Sequence, residues 1–345
     1  MSLIALPPQP VDVVWPTLDW PEGELSVARA HALAPYLAEA FGEVSSPVLG
    51  ETHALLIIQG GRLIFEQYGE GHGPDSTFPS WSKAKSITHA LTGILVGDGR
   101  LDIHAPADAP EWQQPGDPRQ AISLDHLLRM SSGLKFVEDY APGSTSDVLE
   151  MLYGSGKSDT AAYAAGQPLI HPPGTVWSYA SGTTNIISRA LSRSLNAYGP
   201  DFEAFMRQRL FEPLGMTSPI PKFDAAGTFI GSSFCFCSAR DFARFGLLYL
   251  RNGTWEGRQL LPVGWVDYAR TRTAQPPTEL DAYGAQWWLG FGGPNSFSAN
   301  GYDGQFTFVL PDLDMIIVRS GKTGQDIMDN LKIWMRNLAN AMRTA

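Results

Sequence analysis

Two stretches near opposite ends of the chain carry the same pattern. "THALLIIQGGRLIFEQYG" (residues 52–69) sets two apolar-rich runs around Gly60-Gly61, the kind of pair that a tight two-residue hairpin turn favours. "FTFVLPDLDMIIVRSG" (residues 306–321) repeats the arrangement around Pro311-Asp312. Beyond it, Ile327, Leu331, Trp334, Leu338 and Met342 recur at i+3 or i+4 steps, which predicts a closing helix over residues 325–343. Hairpins at both ends and a helix after the second predict an α/β fold. One antiparallel sheet, built from the N- and C-terminal segments, is flanked by helices. The middle is mostly helical, with helices expected over residues 82–96, 123–130, 181–195, 201–215 and 238–253.

Composition narrows the function. The 345 residues are 43% hydrophobic and 17% charged, a globular profile long enough for a large core. A formal net charge of −10 with no basic stretch argues against a nucleic-acid partner. The two cysteines, Cys235 and Cys237, share one face of a strand, where a disulfide would be strained, and read as small apolar fillers. Seven scattered histidines show no metal-ligand spacing, so neither a metal nor another cofactor is expected. "MSLIALPPQPVDVVWP" lacks a basic leader and is interrupted by prolines, which predicts an extended surface arm in a cytoplasmic protein. No apolar run reaches membrane-spanning length.

Three segments carry possible chemistry. "FPSWSKAKSITHALTG" places two Ser-x-x-Lys pairs, Ser80/Lys83 and Ser82/Lys85, where a helix begins. A serine hydroxyl needs a base to act as a nucleophile. A lysine three residues on returns to the same side one turn later. The bland alternative is an N-cap serine followed by surface lysines. "PPGTVWSYASGTTN" puts Tyr179 and Ser181 in a loop ahead of a helix, where a tyrosine is usually packing. "SANGYDGQFTFVLPD" puts Gly301 and Gly304 at the mouth of a strand, where glycine marks close backbone approach. A strand edge offering N–H groups there would make an oxyanion site. In the loop "KFVEDYAPGSTSD", Glu138 and Asp139 read as solvated.

Taken together, from about residue 52 onward, these segments resemble the serine hydrolases of the β-lactamase and penicillin-binding-protein fold. Within it, they look most like class C β-lactamases, family VIII esterases and 6-aminohexanoate-dimer hydrolases. The first segment resembles the family's Ser-x-x-Lys box in a register that selects Ser82 and Lys85. "SLDHLLRMSSGL" is similar to the family's helix-then-SGL segment. Tyr179-Ala180-Ser181 resembles its Tyr-x-Asn box, with Ser181 in place of the asparagine. Ala299-Asn300-Gly301 stands where a Lys-Thr-Gly or His-Thr-Gly box is usual, so the cation is missing. A literal Lys322-Thr323-Gly324 follows the wrong strand and reads as a decoy.

The resemblance implies an arm and first helix over 1–51, a sheet domain of 52–98 and 230–345, a helical domain of 99–229, and an active site between the two domains. It implies acyl transfer through an acyl-enzyme. Ser82 is the nucleophile and Lys85 and Tyr179 share the base. The N–H groups of Ser82 and Tyr302 hold the oxyanion, and Ser181, Asn300 and Gly301 lie near the substrate. Trp81, Trp177, Trp287, Trp288 and Tyr302 either line an apolar cleft or belong to the core. The expected activity is hydrolysis of small carboxylic esters. The alternatives are amide hydrolysis of 6-aminohexanoate-type oligomers, β-lactamase or DD-peptidase action, and a catalytically idle scaffold.

Overall fold

A computed structural model describes residues 3–42, 46–141, 143–274 and 282–344. Both end hairpins form as the sequence predicts. Strand β1 (Glu51–Gln59) turns at Gly60-Gly61 into β2 (Arg62–Tyr68). Five further strands follow late in the chain: β3 (Ala282–Tyr283), β4 (Trp288–Leu289), β5 (Phe297–Gly301), β6 (Gln305–Leu310) and β7 (Met315–Lys322). The seven make one sheet in the order β2-β1-β7-β6-β5-β4-β3. Every neighbouring pair is antiparallel. The β1–β7 seam joins the two ends of the chain, with Leu56 opposite Val318 and Ile58 opposite Ile316.

Side chains alternate across this sheet. Ala54, Leu56, Ile58, Ile316, Val318 and Val309 face one core. Leu55, Ile57, Met315, Ile317, Phe306 and Phe308 face another. Helices cover both faces, which is why β1 reads as a continuous apolar run and not as alternating residues. On the second face lie α1 (Val27–Ala40) and the closing helix, α6 (Met328–Thr344), which buries Leu331, Trp334, Met335, Leu338 and Met342. On the first lies α5 (Ala239–Leu250). Gly246 lets it settle close, since a Cβ there would stand 3.0 Å from Thr307 Cγ2. Each fully buried Leu or Ile in these layers contributes roughly 1.5–3 kcal/mol.

Three helices bring the chemistry-bearing segments together. They are α2 (Ala84–Gly97), α3 (Leu124–Leu128) and α4 (Ser181–Leu195). Ser123 starts α3 with a reciprocal cap shared with His126. The segment entering α2 is held at Thr77 and Phe78 by pairing with the strand Cys235–Ser238. Cys235 and Cys237 are buried free thiols on that strand. The proline-rich start runs along the surface, and its carbonyls accept from buried arginines: Ile4 from Arg270 at 2.7 Å and Pro16 from Arg244 at 2.6 Å. Among the described residues no helix is long and apolar enough to cross a membrane.

Candidate active site

The entry into α2 is a 3-10 turn, Trp81–Lys83. Trp81 adopts φ +43°, a left-handed conformation that costs a bulky residue about 1–2 kcal/mol. The turn separates its two Ser-x-x-Lys pairs. Ser80 is fully buried; its Oγ accepts from the Cys235 N–H at 2.9 Å and donates to the Ser233 carbonyl at 3.1 Å. Lys83 is also buried, with Nζ 3.2 Å from the centre of the Phe242 ring. Ser82 instead lines a cavity of about 300 Å³. Lys85 Nζ lies 3.1 Å from Ser82 Oγ, 2.9 Å from Ser181 Oγ and 2.9 Å from the Ser232 carbonyl. Burial lowers the Lys85 ammonium pKa to about 8, against an opposing pull from Glu138.

Tyr179 comes from the loop over residues 172–180. That loop is pinned to the end of α3 and the residues after it: the Ser178 N–H donates to the Met130 carbonyl at 2.8 Å and the Gly174 N–H to Ser131 at 2.7 Å. Trp288 stacks on the Tyr179 ring at 5.5 Å, and Tyr283 meets it edge-on at 6.1 Å. Burial pushes the Tyr179 phenol well above its ordinary pKa, the Glu138 charge adds to this, and a hydrogen bond with Ser82 opposes it. Lys85 Nζ lies 4.8 Å from the centre of the same ring. Ser82, Lys85, Tyr179 and Ser181 therefore meet at one point.

Gly301 closes the other side. A Cβ there would stand 2.4 Å from the Ser80 carbonyl, so only glycine lets the end of β5 come this near the serine turn. Asn300, Gly301 and Tyr302 line the cavity with Ser82. Asn300 Oδ1 and Trp177 Nε1 are buried polar atoms with no hydrogen-bond partner among the described residues. Both belong to cavity-lining residues, but the two atoms themselves are closed off from solvent. The arrangement offers a hydroxyl beside a buried amine and an aromatic wall.

A family model described as Beta-lactamase matches residues 51–338. The chain belongs to the beta-lactamase family. The 6-aminohexanoate-dimer hydrolase of Paenarthrobacter ureafaciens is 24% identical over 311 residues, spanning 85% of this chain and 77% of the relative. A solved Bacillus anthracis structure, provisionally described as a 6-aminohexanoate-dimer hydrolase, superposes with a TM-score of 0.77 at 19% identity, over 99% of this chain and 92% of that one. A family VIII carboxylesterase has the same fold, with a TM-score of 0.66 at 12% identity, over 92% of this chain and 99% of that one.

One position, Glu138, departs here from its sequence reading. It is half-buried and bonded to protein groups rather than merely solvated. Its carboxylate accepts from the Ser181 N–H at 2.7 Å, the Ser181 hydroxyl at 2.6 Å and the Tyr140 hydroxyl at 2.8 Å. No spacing rule marks it, because it arrives on a loop closed by Val137 and Asp147, whose carboxylate accepts from the Val137 N–H at 2.7 Å. Trp287 is core, packed against Tyr249 at 4.4 Å. Trp177, Trp288 and Tyr302 line the main cavity, and Trp81 lines a smaller one that also reaches Ser82. Lys322 is exposed at the end of β7, opposite Glu51, and is not among the cavity-lining residues. A different lysine does line the cavity: Lys332, with Gln325 and Met328. Their i, i+3, i+7 spacing was the signal that could have placed them on one helix face.

Proposed function

We propose that the protein is a serine hydrolase that cleaves small carboxylic esters through an acyl-enzyme. The observation that carries this reading is the 3.1 Å contact between Ser82 Oγ and the buried Lys85 nitrogen. With a pKa of about 8, Lys85 is a free amine in about a tenth of molecules at pH 7, against about one in a few thousand for an ordinary lysine. Tyr179, by contrast, is strongly biased toward the neutral phenol. Lys85 is therefore the better proton acceptor and Tyr179 the better donor.

In the first step the Ser82 oxygen bonds to the substrate carbonyl carbon and its proton passes to Lys85. The N–H groups of Ser82 and Tyr302 hold the oxyanion. The tetrahedral species collapses by breaking the ester C–O bond, and the leaving oxygen takes a proton through Tyr179, which Lys85 reprotonates. Water then adds to the acyl carbon, giving its proton to the same pair, which passes it to the Ser82 oxygen as the Ser82–acyl bond breaks. The aromatic cavity suits an uncharged acyl or alcohol portion.

Amide hydrolysis of 6-aminohexanoate-type oligomers is the second reading. It is favoured by similarity to the Paenarthrobacter ureafaciens dimer hydrolase over 85% of this chain. The test is a panel of nitrophenyl esters, an aminohexanoate dimer and a chromogenic cephalosporin, with a fluorophosphonate to label the nucleophile. Ester turnover together with covalent labelling of Ser82 is the expected result. Turnover of the dimer alone would favour the second reading.

A further inference from the structure

Ser181 has one hydroxyl proton and two strong neighbours. Glu138 Oε1 lies 2.6 Å from its oxygen, and Lys85 Nζ lies 2.9 Å away on the other side. An ionised carboxylate only accepts, so the Ser181 proton belongs to Glu138. The Ser181 oxygen can then only accept from Lys85. The Ser232 carbonyl, 2.9 Å from Nζ, also only accepts. Two of the lysine's hydrogens are thereby committed. In the ammonium form the third points toward Ser82, which is unreactive. In the amine form that third position is the lone pair, 3.1 Å from Ser82 Oγ and directed at the proton it must take.

We propose that Glu138 is a positioning residue for the base: acting through Ser181, it sets the direction of the hydrogen bonds around Lys85 so that the free valence of the Lys85 nitrogen faces Ser82. Without a carboxylate at this place, the Ser181 hydroxyl could turn its own proton toward the amine and occupy the lone pair. The carboxylate is held for this task. Besides the Ser181 hydroxyl it accepts from the Ser181 N–H at 2.7 Å and from Tyr140 at 2.8 Å. It also sits at the first residue of the 15-residue helix α4, where the free N–H groups favour an anion. A short serine at position 181 can be bridged in this way on both its N–H and its hydroxyl.

The proposal rests on reading Ser82 and Lys85 as nucleophile and base. The titratable groups facing Lys85 from the packed elements are Glu138 and Tyr140 from one loop, Tyr179 from another, and Tyr283 behind Tyr179. Glu138 is the one carboxylate among them, and its charge works to keep Lys85 protonated. Removing that charge should let Lys85 lose its proton at lower pH, while the reversed hydrogen bonds make the amine a poorer base.

The experiment measures the rate of Ser82 labelling by a fluorophosphonate as a function of pH, for the full chain and for Glu138→Gln and Glu138→Asp. A glutamine offers one acceptor and an N–H₂ group, which cannot take both Ser181 hydrogens. In Glu138→Gln the plateau rate should fall about tenfold or more, and the acid limb should move down by about half a pH unit or more. In Glu138→Asp, which keeps the charge, the limb should stay near its wild-type position even if the plateau falls. A lowered plateau with an unmoved limb in Glu138→Gln would mean a merely structural role and overturn the proposal, as would equal limb shifts in both variants. If Ser82→Ala is labelled as fast as the wild type, the nucleophile reading fails and this inference falls with it. Labelling at Ser82 with no change in Glu138→Gln removes the inference alone.

Discussion

Lys83 and Lys85 leave the same helical start and end in opposite surroundings: Lys83 Nζ faces the Phe242 ring at 3.2 Å with no hydrogen-bond partner among the described residues, and Lys85 Nζ lies within 3.1 Å of Ser82 Oγ. Both are buried. What separates them is the direction in which each leaves the turn. The Ser80/Lys83 and Ser82/Lys85 pairs are equal as sequence spacings, yet only the second reaches the cavity.

Ser82→Ala should abolish ester hydrolysis, while Ser80→Ala should keep it within severalfold of wild type. Ser80→Ala leaves the buried Cys235 N–H without its acceptor, at a cost of about 1–3 kcal/mol in stability. The distinguishing measurements are intact-mass and peptide mapping after fluorophosphonate treatment. An adduct on Ser80 would contradict the assignment.

Lys85→Ala and Tyr179→Phe should each lower kcat by about two orders of magnitude or more, roughly 3 kcal/mol. Because the two share one proton path, the double variant should lose far less than the product of the single losses. With Lys85 at about 8 and the free amine required, kcat/KM for an ester should climb through pH 6 to 8 and level only above about pH 9. A pH-independent rate across that range would remove Lys85 as the base.

Lys83→Met should stabilise the protein at neutral pH and flatten the pH dependence of its stability. Burial lowers the Lys83 ammonium pKa to about 7 from an ordinary 10.5. Between those values the unfolded chain binds more protons than the folded one, so stability rises with pH. For Lys83 alone, the gain from pH 7 to 8.5 is roughly 1–2 kcal/mol. Lys85 adds in the same direction. His89, held at about 3 by burial, acts only at lower pH, and the buried thiol of Cys235, raised to about 12 by burial, acts only at higher pH. Denaturant midpoints at pH 7 and 8.5 for both proteins test this. An unchanged slope in Lys83→Met would show that Lys83 stays charged in the fold.

What could be read beforehand depended on how local each signal was. Both end hairpins carry their turn residues between their own strands, so β1, β2, β6 and β7 were legible from a few residues each. The helices from Ser82, Ser181 and Gln325 were legible through periodicity. The short strands Ala282–Tyr283 and Trp288–Leu289 were not, because two residues hold no alternation. Ser82, Lys85 and Tyr179 were picked out by their resemblance to the family's boxes and not by spacing alone, yet nothing in the sequence said that Glu138 would cross to Ser181. That contact joins a loop and a helix start 43 positions apart. Trp287 and Trp288 are adjacent in sequence but point to opposite sides of their segment, one into the core and one onto Tyr179.

The enzyme should handle small uncharged esters far better than β-lactams. Ala299, at the position that resembles the family's cationic box, is a buried alanine, and Asn300 lines the cavity with a neutral side chain. Charge-assisted hydrogen bonds are about twice as strong as neutral ones, so a carboxylate-bearing substrate loses roughly 1–2 kcal/mol of binding there. Lys322 does not make up the loss, because it is exposed opposite Glu51 and is not among the cavity-lining residues. Lys332 is the lysine that reaches the cavity, but its Nζ is 3.2 Å from Asp329 and partly exposed to solvent, which leaves it a weak substitute. On one preparation, kcat/KM for nitrophenyl butyrate should exceed that for a chromogenic cephalosporin by about two orders of magnitude. Lys322→Ala should change neither value. Lys332→Ala should lower only the cephalosporin value, by severalfold. A cephalosporin value at or above the ester value would reverse the ordering. Its loss in Lys322→Ala would show that the Lys-Thr-Gly after β7, and not Asn300 and Gly301, serves the substrate.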